Sequence, residues 1–213
     1  MRVAIVDYGA GNVASVRSAL AHVGVEASLS DDPGQLAAAT MLIFPGQGHF
    51  GQAMARLRQR GLDHVLHRHV ASGRPFVGIC LGLQLLFEGS DEAPGVAGLG
   101  LLGGHCRRFS PEGPGGARLK VPQIGWNQLH LHRPATPLQA VGEGASMYFV
   151  HSYHAVASDP RDVIATADHG LPFVAAVQRD NLFAAQFHPE KSGAAGLRLW
   201  SALVESPWWV RPC

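Results

Sequence analysis

The apolar positions of this chain follow two styles. In the first ninety residues, short runs of consecutive apolar residues alternate with longer stretches whose apolar positions recur every three or four. Residues 3–6 form such a run, which ends in the turn Asp7-Tyr8-Gly9-Ala10-Gly11-Asn12 before Val13, Val16, Leu20 and Val23 recur at helical spacing. Residues 41–44 run into Pro45-Gly46-Gln47-Gly48 and then into one helical stretch carrying Met54, Leu57, Leu62, Val65, Leu66 and Val70. Residues 75–79, apolar on both faces, turn at Cys80 into a helical pattern over 81–87. Strands without a polar face must be covered on both sides, which predicts a mostly parallel sheet flanked by helices.

Beyond Gly89 the texture changes. Gly- and Pro-rich loops at 93–104 and 110–116 separate short alternating segments such as 128–132, which read as antiparallel strands. Residues 163–166, 173–178 and 182–186 continue that style, the last two joined at the hairpin signal Arg179-Asp180-Asn181. A final helix over 193–204 carries Leu197, Trp200 and Val204 on one face; the Pro207-Trp208-Trp209 tail reads either as a cap on that helix or as a contact. Nothing resembling a repeat or a linker divides the chain, so one α/β domain over 1–213 is expected, with an antiparallel strand insertion in the C-terminal half.

Composition narrows the class of partner. Seventeen basic and sixteen acidic side chains leave a formal charge of +1, which gives no electrostatic footprint for nucleic acid or an anionic membrane. No run of about 18 apolar residues is present and the first strand is halted by Asp7, so neither a membrane span nor a signal peptide is expected. Cys80, Cys106 and Cys213 are too few and too far apart for a disulfide framework, which suggests a reducing, cytoplasmic setting. Charged residues make up 15%, against roughly 25% in ordinary domains, and 26 residues are glycine.

The residues that carry chemistry begin with Gly78-Ile79-Cys80-Leu81-Gly82, a G-x-C-x-G where a buried strand meets a helix. Glycines two positions to either side leave room for a strained turn that pushes the sulfur out of the sheet. The helix N-terminus behind it favours thiolate, and the Leu81 amide points to where an oxyanion would form. Taken alone, the motif suits a buried structural cysteine equally well. A base is needed, and Phe187-His188-Pro189-Glu190 supplies one: proline stops the strand and presents His188 at its end. Glu190, two residues on, is placed to orient the ring. His130 with His132, and His64 with His67, share faces but lack a third ligand, so no metal is expected. Gly9 and Gly11 lack the third glycine of a dinucleotide fingerprint.

Together, Gly78–Gln84 and His188-Pro189-Glu190 resemble the class I, triad-type glutamine amidotransferases, with their flavodoxin-like α/β fold. Asp7–Asn12, Pro45–Phe50, Gly125-Trp126-Asn127, Tyr148–Tyr153 and Gln186–Ser192 are similar to the glutaminase subunits of imidazole glycerol phosphate synthases in particular. The resemblance implies hydrolysis of L-glutamine without a cofactor, with the ammonia passed to a (β/α)8 cyclase subunit as a heterodimer. It implies Cys80, His188 and Glu190 as the triad, Leu81 and Gln47 as oxyanion donors, and Gly46, Gly48, Gln84, Glu92, Ser152 and Tyr153 around the glutamine. Asn12, Gln123, Trp126, Asn127 and Lys191 match partner-facing positions. Many members carry valine where this chain has Gln47. Trp126 also reads as a core tryptophan, Asn127 as a turn asparagine, and Glu92 and Lys191 as solvated charges. The rival functions are another triad glutaminase such as that of anthranilate synthesis, a stand-alone hydrolase, and an inactive regulatory subunit. The scarcity of charge would fit a surface covered by the cyclase.

Overall fold

The strands of the first half are apolar on both faces because helices cover both. The computed structural model describes every residue except 10, 117, 135, 206 and 210–213, together with the side chain of 114, so Cys213 lies outside the described residues. β1 (Val3–Val6) leads through α1 (Val13–His22) to β2 (Ala27–Ser30), and α2 (Pro33–Ala38) leads to β3 (Met41–Gly46). Next come α3 (Phe50–Gln59), α4 (Leu62–Ala71), β4 (Phe76–Cys80) and α5 (Leu81–Gln84). β1 pairs parallel with β2 and β3, and β3 pairs parallel with β4. Alternate strand residues serve opposite layers. Val6, Phe44 and Phe76 share a core with α2, α3 and α4, whereas Ile5, Ile43, Val77 and Ile79 share one with α1 and the C-terminal helix.

The second half adds β5 (Gly89–Ser90), β6 (Gly104–Arg108), β7 (Gln123–Gln128), β8 (His130–Leu131), β9 (Ser146–His151) and β10 (Tyr153–Ala157). β11 (Val163–Asp168), β12 (Pro172–Arg179), β13 (Leu182–Ala185) and α6 (Gly193–Glu205) follow. The large sheet has the order β2-β1-β3-β4-β13-β12-β11-β8; β10-β6-β5 and β7-β9 form two small sheets. β13 is the junction, antiparallel to β12 across the expected hairpin and parallel to β4. All four of its residues are buried, as a central strand requires.

Three expectations are corrected, and two elements come in addition. β2 and α2 do not show in the hydrophobic pattern: β2 is an edge strand buried only at its ends, and α2 is announced instead by Asp32, whose carboxylate accepts the Gln35 N–H at 2.7 Å ahead of Pro33. The stretch from Met54 to Val70 is two helices, parted at Gly61 with φ 65°. The helix expected over 81–87 ends at Gln84, because the carbonyls of Leu85, Leu86 and Phe87 accept the N–H groups of Leu99, Leu102 and Gly100 from the following loop. Segment 128–132 is no single strand: buried Leu129 bonds to Ala145, and the chain passes there from the β7-β9 sheet to the large one.

At the other end Trp208 caps α6, its Nε1 donating to the Leu203 carbonyl at 2.9 Å while its ring packs on Phe183. No helix among the described residues is long and apolar enough to cross a membrane.

Candidate active site

β4 and β13 run side by side and stop together, and the site is built where they stop. Their parallel register pairs Ala184 with Gly78 and Ala185 with Ile79, so the next step brings Gln186 beside Cys80. Cys80 has φ 54° and ψ −109°, a strained conformation for a residue with a Cβ. Close approach of the backbone holds it there. A Cβ on Gly82 would lie 1.9 Å from the Phe44 carbonyl oxygen, and one on Gly46 would lie 2.2 Å from the Tyr8 hydroxyl. Gly46 thus packs behind the nucleophile turn, against Tyr8 and Leu81. The Tyr8 phenol is held well above its ordinary range, first by burial and then by the charge of Cys80.

His188 is presented by a change of partner. The Gln186 N–H still bonds Ala175 of β12, whereas the His188 N–H donates to Tyr148 of β9 at 2.9 Å and its carbonyl accepts the Ser192 hydroxyl at 2.7 Å. The side chains of His188 and Glu190 are almost completely buried, and Nδ1 of His188 lies 2.7 Å from Oε1 of Glu190. The carboxylate fixes the tautomer, so Nδ1 donates and Nε2, which has no hydrogen-bond partner of normal length among the described residues, is left for the sulfur and the substrate. Burial works against a charged ring here. It is outweighed by the Cys80 charge and then by Glu190, which raise the imidazole pKa from 6.5 to about 10. The arrangement therefore suits a thiolate–imidazolium pair.

A pocket of about 350 Å³, at the small end of ligand sites that start at roughly 300 Å³, opens above the sulfur. It is lined by Gln47, Gly48, Leu81, Gln84, Glu92 and His188, and on its other wall by Pro122 and residues 150–153. Nε2 of Gln84 donates to the Tyr153 carbonyl at 2.9 Å and to Oε1 of Gln186 at 3.0 Å. Both of its N–H groups are thereby engaged, and Gln84 meets a ligand as an acceptor only. The Tyr153 carbonyl also accepts from Nδ1 of His151 at 2.8 Å. One Glu92 oxygen accepts the Phe50 N–H at 2.7 Å at the start of α3, so this residue is no free surface charge.

The five residues expected to face a partner divide. Trp126 is 60% exposed and, with Ile124 on the same strand, supplies two of the most exposed large apolar side chains; its reading as a core residue is wrong. Its ring meets Tyr148 edge-on, and the Lys191 ammonium lies over the same tyrosine. Asn127 sits inside β7, where it donates to the Asp168 carbonyl, and not in a turn. Gln123 is buried opposite His151. Asn12 occupies the N-cap of α1 without capping it; its amide donates to Glu190 and so reaches the His188–Glu190 pair from the first strand's turn.

Two residues of the Gln186–Ser192 motif to which the sequence assigned no role also belong to the site: Gln186, whose Nε2 lies 3.7 Å from the Cys80 sulfur, and Ser192, which pins the His188 backbone. The signal for Gln186 was a polar residue between apolar neighbours at the end of a buried strand. His130 and His132 turn to Glu143 and Thr166. Among the described residues no group of three or more His, Cys, Asp or Glu is placed to hold a metal.

A strained cysteine at a strand end, a buried His–Glu pair just past the end of the neighbouring strand and a mostly parallel sheet flanked by helices define the class. Residues 4–198 match the family model of class-I glutamine amidotransferases, and the chain belongs to that family. PurLQS from Thermotoga maritima has the same fold, with a TM-score of 0.74 over 95% of this chain and 96% of that one at 21% identity. Within the class, the chain belongs with the HisH subunits of imidazole glycerol phosphate synthase. It is 48% identical to the HisH subunit of a Synechococcus strain, over 96% of this chain and 94% of the relative. The HisH subunit of Streptococcus sanguinis is 50% identical, over 94% of each.

Proposed function

We propose that this chain is the glutaminase subunit of an imidazole glycerol phosphate synthase in histidine biosynthesis, acting as one amidotransferase unit over 1–213 in the cytoplasm. The observation that carries the mechanism is the strained Cys80 in one pocket with the buried His188–Glu190 pair. The Cys80 thiolate attacks the carboxamide carbon of glutamine, and the oxyanion forms against the Leu81 N–H, with the Gln47 N–H as second donor. His188 gives its Nε2 proton to the departing ammonia, leaving a thioester. It then takes a proton from water, which releases glutamate and restores the thiolate. Gln84 and Glu92, both acceptors toward the ligand, suit the α-ammonium, and the Gly48, Ser152 and Tyr153 backbone lies alongside.

The ammonia passes to a cyclase subunit docked over Trp126, Ile124 and Lys191. Trp126 and Ile124 supply the exposed apolar centre such an interface needs, with the Lys191 ammonium beside them over Tyr148. Asn12 and Asn127 act from behind that face, through Glu190 and Asp168 respectively, and Gln123 stands buried on β7 opposite His151.

The test is glutamate release by the purified chain, with and without the cyclase subunit and its nucleotide ligand. Stimulation by the partner is expected, and its absence would sink the pathway assignment. Cys80→Ala is expected to lower turnover by at least about 10³-fold with unchanged thermal stability; retained turnover would sink the mechanism.

A further inference from the structure

A thiolate in this site needs donors, and the usual source is short here. α5 has only one turn, so few peptide dipoles add up behind Cys80. A second source stands on the neighbouring strand. Gln186 is fully buried between Ala185 and Phe187, also buried, where an apolar residue would carry no desolvation penalty. The β4–β13 register sets it beside Cys80, and its backbone N–H is fixed to Ala175 at 2.8 Å.

The orientation of its carboxamide follows from a chain of obligate roles. The Tyr153 carbonyl can only accept, so the Gln84 group 2.9 Å away must be the NH₂. The same NH₂ lies 3.0 Å from the Gln186 side chain and requires an oxygen there. The oxygen of Gln186 is thus committed to Gln84, and its NH₂ faces Sγ of Cys80 at 3.7 Å. The reverse orientation would set two NH₂ groups against each other and a carbonyl oxygen against a thiolate. We propose that Gln186 is a further catalytic group, donating a hydrogen bond to the Cys80 sulfur, with its orientation locked through Gln84 by the Tyr153 carbonyl.

This rests on Cys80 being the nucleophile. The donor serves twice: it favours the attacking thiolate, and it stabilises the sulfur again when the thioester collapses and thiolate leaves. Because Gln84 also lines the glutamine pocket, the relay joins the head-group site to the reacting atom.

The experiment compares wild type with Gln186→Met, which keeps length and burial and removes the donor, in complex with the cyclase subunit. Iodoacetamide alkylation of Cys80, followed across pH by mass spectrometry of its peptide, reports the thiolate directly. The midpoint is expected to rise by about one pH unit, with kcat for glutamine lowered about tenfold to a hundredfold and KM changed little. An unchanged alkylation midpoint overturns the proposal. Should the variant fail to fold, side-chain amide NMR of the wild-type chain decides: the Gln186 NH₂ signals must shift when Cys80 is alkylated, and their indifference overturns it. Cys80→Ala separates the two readings: retained glutaminase activity in that variant overturns Cys80 as the nucleophile whatever Gln186 does.

Discussion

The parallel and antiparallel halves of the molecule contribute to the site in different ways. In the parallel half the chemistry stands at strand ends and is fixed by backbone: β3 delivers Gln47 and Gly48, β4 delivers Cys80, and β13 delivers Gln186 and His188. In the antiparallel half the wall of the pocket is side-chain and carbonyl work. His151 and His154 of β9 and β10 pack on Phe109 and Phe173 with ring centroids 4.6–6.4 Å apart. The parallel half therefore sets the nucleophile turn by steric exclusion, whereas the antiparallel half holds its wall by buried rings that titrate.

The strongest way to break that contrast is Gly82→Ala. Its new Cβ would stand 1.9 Å from the Phe44 carbonyl oxygen, a backbone atom of a central strand that has nowhere to go. A loss of about 3 kcal/mol in urea denaturation is expected, at the upper end for overpacking, with glutamine hydrolysis abolished. Gly103→Ala, on the antiparallel side, meets only the Ser158 side chain at 3.4 Å, and a change under about 1 kcal/mol is expected there. Equal effects at the two positions would mean that close backbone approach does not hold the nucleophile turn.

Acid sharpens the other side. Burial lowers the His151 pKa from 6.5 to about 3 and lowers that of His154, while in the parallel half burial brings His69 to about 4. Between the unfolded and folded values the unfolded chain binds the extra proton. Stability is therefore full above pH 6.5 and lost as pH falls toward these folded values. At pH 5 the cost is about 2 kcal/mol for each strongly shifted ring. His151→Phe, which keeps a ring among Phe109, Phe149 and Phe173, is expected to flatten the fall in unfolding free energy from urea denaturation between pH 7 and 5 by that amount. A slope identical to wild type would show that His151 is not held neutral.

The same division explains what could be read from the sequence. The parallel strands were legible because burial on both faces leaves uninterrupted apolar runs, and Cys80 and His188 because a strained turn needs Gly82 and a strand end was marked by Pro189. β13 was read only as half of a hairpin, since nothing in Leu182–Ala185 says which strand lies on its other side. The end of α5 at Gln84 was hidden because the groups that take the Leu85–Phe87 carbonyls come from the loop at 99–102. Resemblance supplied Asn12, but its bond to Glu190 joins residues 178 positions apart and leaves no local mark.

The smallest effect tests how the two halves are tied together at the C-terminal end. Trp208 touches both: its indole N–H donates to Leu203 of α6, its ring packs on Phe183 of β13, and its carbonyl accepts Nε2 of Gln178 of β12. Trp208→Phe keeps a ring against Phe183 and removes the indole donor, leaving the Leu203 carbonyl to water. A net hydrogen bond of about 1 kcal/mol corresponds to a fall in Tm of about 2–4 °C for a chain of this length. Glutamine turnover at 25 °C should not change, because the cap lies on α6 away from the strand ends that carry the site. Scanning calorimetry and a glutaminase assay on the same preparation check both. A loss of turnover with little change in Tm would show that the tail acts on the site through β13, and that the nucleophile side is less rigid than its packing implies.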